Sequence, residues 1–228
     1  MTKKRLLLFD IDGTLVNTGG AGVMSLRNMV RQRFGMVDDL RDIEIAGKTD
    51  RSIIRDILRK YDTDPSEEDI SQFARTYIAD LANELSRCRG RVLPGVEGLL
   101  RYLQSQRHIV LALLTGNLKR GAQLKLEHYG LWHFFEFGAF ADDHHDRNEL
   151  GAFAHRRARE KHDHDFDSAD IDVIGDTGHD VACGKAFGAR TIAVATGSWP
   201  RERLRECEPD FLFDDLSEVE KIIDKLGW

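Results

Sequence analysis

The chain has 228 residues, enough for one large α/β domain or for a core carrying a smaller inserted module, and too few for three ordinary domains. Its 41% hydrophobic, 8% aromatic and 32% charged residues describe a globular chain with a buried core and exclude disordered and fibrous classes. With 33 basic against 39 acidic residues the formal net charge is −6, so a nucleic-acid partner is not expected, whereas a small anionic ligand needs only local positive charge.

Lys3, Lys4 and Arg5 followed by Leu6, Leu7 and Leu8 imitate the start of a signal peptide, but Asp10 and Asp12 interrupt the apolar run at once. No targeting segment and a cytoplasmic location are therefore expected. The same run, RLLLFDI, is the first of five short apolar stretches; HIVLALLTG, IDVIGD, RTIAVATG and DFLFDD follow. Each is continuous rather than alternating, as in strands buried on both faces of a parallel sheet. Between the later ones, residues 95–106, 119–129, 149–161, 179–187 and 216–226 carry helical spacing. Ile109–Leu114 is far shorter than the roughly 20 apolar residues that span a bilayer, so no membrane partner is expected.

The interval between the first and second strand is different. Residues 23–34, 51–60 and 67–87 carry helical spacing, the last after a Pro65–Ser66 cap signal, and no strand run lies among them. A connection of this length exceeds an ordinary crossover of about a dozen residues. The expected fold class is α/β, a Rossmann-like parallel sheet core (residues 1–16 and 91–228) with an inserted α-helical cap domain (residues 17–90), its boundaries at Asn17–Gly22 and Cys88–Pro94. Cys88, Cys183 and Cys207 are odd in number, widely spaced and form no CxxC pair, which supports neither a disulfide framework nor a structural zinc site.

The chemistry is concentrated where the first strand runs into Asp10, Ile11, Asp12, Gly13 and Thr14. Residues i and i+2 of an extended chain point to one side, so both carboxylates leave the strand's carboxyl end together, where open parallel sheets place their ligands. Two carboxylates this close call for a positive partner or a shared proton, and a hard divalent cation is the simplest candidate.

FDIDGTLV resembles the first motif of the haloacid dehalogenase superfamily of phosphatases and phosphotransferases, and three further motifs follow in the family's order. Leu113–Asn117 resembles the second, a strand ending in Thr or Ser; Arg147, within DDHHDRNEL, resembles the third; residues 174–180, containing GDxxxD, resemble the fourth. The insert resembles the family's helical cap of the first type, so the likeness covers nearly the whole chain. It implies Asp10 as nucleophile and Asp12 as general acid and then general base. Thr115 and Arg147 would stabilise the phosphoryl group, and Gly116 and Asn117 would contact substrate. Mg²⁺ would be held by Asp10, the main-chain carbonyl of Asp12 and Asp176, with Asp180 supporting the metal waters or Arg147. Each role suits phosphoryl transfer, which depends on positioning and on offsetting charge at the peripheral oxygens.

The family more often has Lys at the third motif, and Arg156, Arg157 and Lys161 are rival basic residues; Phe153, six residues after Arg147 and suited to anchoring the helix, favours Arg147. AGKTD at 46–50 fails as a phosphate-binding P-loop because position 42 is Asp, but Lys48 at a helix start could bind a remote anionic group of the substrate or lie exposed. The histidines at 144, 145, 155, 162 and 164 fit no metal-ligand spacing and read as a polar loop, and Gly184 and Gly188 read as close-packing positions. The expected activity is Mg²⁺-dependent hydrolysis of a small phosphorylated metabolite, resembling phosphoglycolate phosphatases. The alternatives are a phosphomutase of the β-phosphoglucomutase kind, a haloacid dehalogenase, disfavoured by Asp12 and Asp176, and a non-catalytic phospho-accepting module, disfavoured by the insert. Monomer and homodimer both stay open.

Overall fold

The computed structural model describes residues 3–61 and 64–228. Its framework is a six-stranded parallel sheet of β1 (Arg5–Phe9), β4 (Ile109–Leu114), β5 (Gly138–Ala139), β6 (Ile171–Gly175), β7 (Arg190–Val194) and β8 (Phe211–Phe213), in the order β5-β4-β1-β6-β7-β8. β2 (Val16–Asn17) and β3 (Arg91–Val92) form a separate antiparallel pair. The helices are α1 (Ala21–Phe34), α2 (Asp50–Tyr61), α3 (Glu67–Arg87), α4 (Val96–Ser105), α5 (Lys119–His128), α6 (Leu150–His162), α7 (Gly178–Ala186), α8 (Arg201–Glu206) and α9 (Val219–Leu226).

The continuous apolar runs are explained by burial on both faces. Leu7, Phe9, Leu111 and Leu113 point into a core with Leu99, Leu103, Ile222 and Leu226, while Leu6, Leu8, Val110 and Ala112 point into a second one with Leu150, Ala154 and Ala158. A third cluster belongs to the helical cap, where Leu26, Met29 and Val30 meet Ile53, Ile54, Ile57, Phe73, Tyr77 and Leu81. The Ser66 signal is a full capping box: Ser66 Oγ accepts from Asp69 N, and the Asp69 carboxylate accepts from Ser66 N.

β1 lies between β4 and β6, with Phe9 in register with both Leu113 and Ile174. The sheet therefore reverses its winding at β1, and the residues that follow β1, β4 and β6 share one crevice. Three short elements differ from the sequence reading. β5 and the β2–β3 ribbon are two residues per strand, too short to show a period, and α8 has six residues. Gly184 does pack α7 closely on the sheet, against Thr191 and Val173, but Gly188 lies beyond the helix at φ +76, so it makes a turn instead of a packing contact. No helix among the described residues is long and apolar enough to cross a membrane.

At the opposite end of the strands, the fully buried carboxylate of Asp172 joins the start of the sheet to the C-terminus. It accepts from Arg190 Nε at 2.5 Å, Arg5 Nη2 at 3.2 Å and Trp228 Nε1 at 2.6 Å. Removing it strands two guanidinium groups and an indole donor. Asp172→Ala should cost about 3 kcal/mol, lowering the midpoint of thermal unfolding by roughly 6–12 °C, with activity per folded molecule retained; a shift under about 2 °C would show that the arginines rehydrate freely.

Candidate active site

The three strands that flank the switch point each deliver a side chain at the carboxyl edge: Asp10 after β1, Thr115 after β4 and Asp176 after β6. Asp10 N donates to Ile174 O at 2.9 Å and Thr115 N to Ala139 O at 3.1 Å, so both are fixed by ladder bonds that run past the strand ends. Arg147 lies in a single 3-10 turn, Arg147–Glu149, just before α6, and is buried with Nη2 3.0 Å from Asp10 Oδ1. Of the rival cations, Arg157 is bound to Asp143 and Gly138 O, Lys161 to Glu136, and Arg156 lies over the Phe153 ring. Of these four, Arg147 alone lines the cavity between core and cap.

Carboxylate oxygens of Asp10, Asp176 and Asp180 lie within 4.8 Å of one another, and all three residues are buried. Asp180 is committed on both sides: one oxygen pairs with Arg147, and the other accepts from Thr177 N at 3.0 Å and Thr177 Oγ1 at 2.8 Å, the capping box of α7. Its position is that of a support for Arg147. Burial pushes the Asp10 carboxyl up to about 7, helped by Asp180 and Asp12 and opposed by Arg147 and a Thr115 hydrogen bond. Burial likewise holds Asp176 well above the usual carboxylate range, with Asp180 and Asp10 adding to it. One guanidinium thus faces three carboxylates, and the uncompensated charge is what a divalent cation would offset. The backbone makes room for Asp176: a Cβ at Gly13, which sits at φ +81, or at Gly197 would overlap its carboxylate. The buried, all-oxygen group of Asp10, Asp176 and Asp180 could hold a hard divalent cation such as Mg²⁺.

A cavity of about 380 Å³ opens from these groups toward the cap, lined by Asp10, Asp12, Asp176 and Arg147 below and by Val23, Leu26, Ile53 and Tyr77 above. The cap is seated on the core through main-chain contacts. Arg147 Nη1 donates to Gly47 O at 2.7 Å, Asp50 N to Gly116 O at 2.6 Å, Leu118 N to Asp50 Oδ2 at 2.8 Å, and Thr49 Oγ1 to His145 O at 2.6 Å. Gly116 is therefore where the cap turn rests, with Lys48 O against its Cα. Lys48 borders the cavity, its Nζ 3.3 Å from Asp56 and 3.7 Å from Glu44. Asn117 spends its amide on protein groups: Nδ2 donates to Thr115 Oγ1 and Asp12 Oδ2, each at 2.8 Å, and Oδ1 accepts from Lys125 at 2.6 Å.

Three contributors escaped the sequence reading. Lys125, on α5, puts Nζ 2.5 Å from Asp12 Oδ2; its only signal was a lysine three residues from Ala122, on an otherwise apolar helical stripe. Asp50 opens α2 at the seam, where burial raises its carboxyl to about 6 against the pull of Lys125. Gly197 belongs to the loop after β7, which carries no motif.

The family profile described as haloacid dehalogenase-like hydrolase matches residues 7–194. Over 221 residues the chain is 30% identical to "Probable phosphatase IndB" of Dickeya dadantii, covering 95% of this chain and 92% of that one. It is 28% identical to a protein of Agrobacterium fabrum named phosphoglycolate phosphatase, covering 96% and 94%. Among solved structures, a hydrolase from Pseudomonas syringae superposes with a TM-score of 0.76 at 16% identity, covering 97% of this chain and 99% of that one.

Two outcomes follow from the crowded carboxylates. Asp10 binds a proton more tightly folded than unfolded, so its contribution to stability is full below the ordinary carboxylate value near 4 and is lost as pH climbs through about 7. In a chelator, wild type should therefore melt increasingly below Asp10→Asn as pH rises across that window, and Mg²⁺ should close the gap; a gap independent of pH would contradict the burial argument. Gly197→Ala should displace Asp176 and weaken Mg²⁺ binding, read by calorimetry, by about 10-fold or more; unchanged affinity would show that Asp176 is not a ligand.

Proposed function

Because the chain belongs to the haloacid dehalogenase-like hydrolase family, we propose that it hydrolyses a small phosphomonoester by way of an aspartyl phosphate on Asp10, with Mg²⁺ as cofactor. The observation that carries this reading is the meeting of a buried carboxylate, Asp10, a guanidinium 3.0 Å from it and a second carboxylate, Asp12, at one cavity.

In the first step an Asp10 oxygen bonds to phosphorus as the ester P–O bond breaks, and the Asp12 carboxyl group gives its proton to the departing alkoxide. In the second, Asp12, now a carboxylate, takes a proton from the water that attacks phosphorus, releasing phosphate and restoring Asp10. Arg147 and the Thr115 hydroxyl bind the peripheral phosphoryl oxygens, whose charge must be offset through both steps. Mg²⁺, held by Asp10, Asp176 and the Asp12 carbonyl, would supply the remaining positive charge at those oxygens. Asp12, half-exposed where Asp10 is buried, lines the same cavity, and its access to solvent suits exchange of the leaving group for water. We place the cap at residues 17–90, with the β2–β3 ribbon as its joint to the core. Seated as it is, the cap leaves room for a metabolite and none for a folded macromolecule.

Inorganic phosphate should be released from a panel containing 2-phosphoglycolate, sugar phosphates and nucleoside monophosphates in Mg²⁺ and not in a chelator. Asp10→Asn should lower kcat/KM by at least about 10⁴-fold. Near-normal turnover by that variant would overturn the covalent route, and a product that keeps its phosphoryl group would turn the assignment to a mutase.

A further inference from the structure

The proposed steps leave a buried cation in the cavity without a role. Lys125 is 4% exposed, yet lysine is among the residues least often buried, because its ammonium must be paired to leave water. Its pairing is specific. Nζ donates to Asp12 Oδ2 at 2.5 Å and to Asn117 Oδ1 at 2.6 Å, and Asn117 Nδ2 donates in turn to the same Asp12 oxygen and to Thr115 Oγ1. Burial alone would lower the ammonium's proton affinity, but Asp12 from the core and Asp50 from the cap outweigh it and keep Lys125 charged.

The consequence lies in what this closed ring does to Asp12. The Asp12 side chain is 41% exposed and, left to itself, would turn about its two torsions in the water of the cavity. Two donors on one oxygen fix its direction, and both donors belong to the segment that begins at Thr115 and continues into α5. The hydroxyl that binds the phosphoryl group and the carboxyl that serves the leaving group are thereby held by one piece of backbone. A misplacement of about 1 Å is enough to cost about 10²-fold in rate.

We propose that Lys125 is a positioning residue that aims the Asp12 carboxyl group at the leaving oxygen, with Asn117 tying that aim to Thr115. The proposal rests on the reading of Asp12 as acid and base. Its compact, three-proton ammonium suits a junction between two acceptors better than a planar guanidinium would.

Leaving-group dependence separates this role from a structural one. A simple alkyl phosphate needs a proton delivered to its leaving oxygen, whereas p-nitrophenyl phosphate expels a phenolate without one. Lys125→Met should lose about 10²-fold in kcat/KM on the alkyl ester and less than about 3-fold on the aryl ester, and should lose nothing further on the alkyl ester when added to Asp12→Asn. Should the Met variant melt early, Lys125→Gln, which keeps a neutral N–H donor group, carries the same comparison with a smaller alkyl-selective loss. Equal losses on the two esters would overturn the proposal in favour of packing. A loss confined to KM for substrates bearing a second anionic group would overturn it in favour of substrate anchoring. Wild-type turnover of the aryl ester tests the phosphatase reading separately: its absence would remove that reading, whereas its presence with an unchanged alkyl-to-aryl ratio removes only the role of Lys125.

Discussion

Three buried carboxylates, Asp10, Asp176 and Asp180, converge on one guanidinium at the carboxyl edge of the sheet. Burying like charges is costly unless other groups offset them, and the surroundings of the site can be understood as responses to that cost. Asp180 takes up the amide and hydroxyl of Thr177 and braces Arg147. Gly13 and Gly197 clear the volume that Asp176 occupies. What stays uncompensated is the charge that the proposed cation would offset.

The same guanidinium connects the chemistry to the cap. Arg147 reaches Asp10 and Asp180 with one terminal nitrogen and the Gly47 carbonyl of the cap turn with the other. A lysine, with one nitrogen on a flexible stem, could neutralise Asp10 but could not hold that carbonyl as well in a fixed plane. Arginine at position 147, where the resembled motif more often has lysine, therefore gives this chain a direct link between seating of the cap and the charge at Asp10. Asp50 answers from the other side of the seam, where it accepts from Leu118 N and faces Lys125.

Much of this was legible in the sequence because the long elements are periodic and the motifs local. The apolar runs at β1, β4 and β6 stood out since both faces of each strand are buried, and Asp10, Thr115 and Asp176 follow them directly. The ribbon at Val16–Asn17 and Arg91–Val92, and β5 at the edge, were invisible because two residues show no period. Arg147 was ambiguous for a different reason. Five basic residues, Arg147, Arg156, Arg157, Arg159 and Lys161, lie within fifteen positions, and only the tertiary fold decides that Arg156, Arg157 and Lys161 turn toward other partners while Arg147 turns inward. Lys125 and Asp50 belong to contacts 113 and 68 residues apart in sequence, which no local pattern records. The motif alone suggests Asn117 as a substrate contact, whereas its amide is engaged with Thr115, Asp12 and Lys125, partners that only the fold brings together.

The central claim is that a covalent bond forms between phosphorus and the Asp10 carboxylate. Quenching the enzyme during turnover of a small phosphomonoester, reducing the trapped acyl phosphate with borohydride and sequencing the peptides by mass spectrometry reads that bond directly. The account predicts homoserine at position 10, dependent on substrate and Mg²⁺ and absent from Asp10→Asn. Phosphate release at full rate with position 10 always recovered as aspartate, or with the reduced residue found elsewhere, would contradict it.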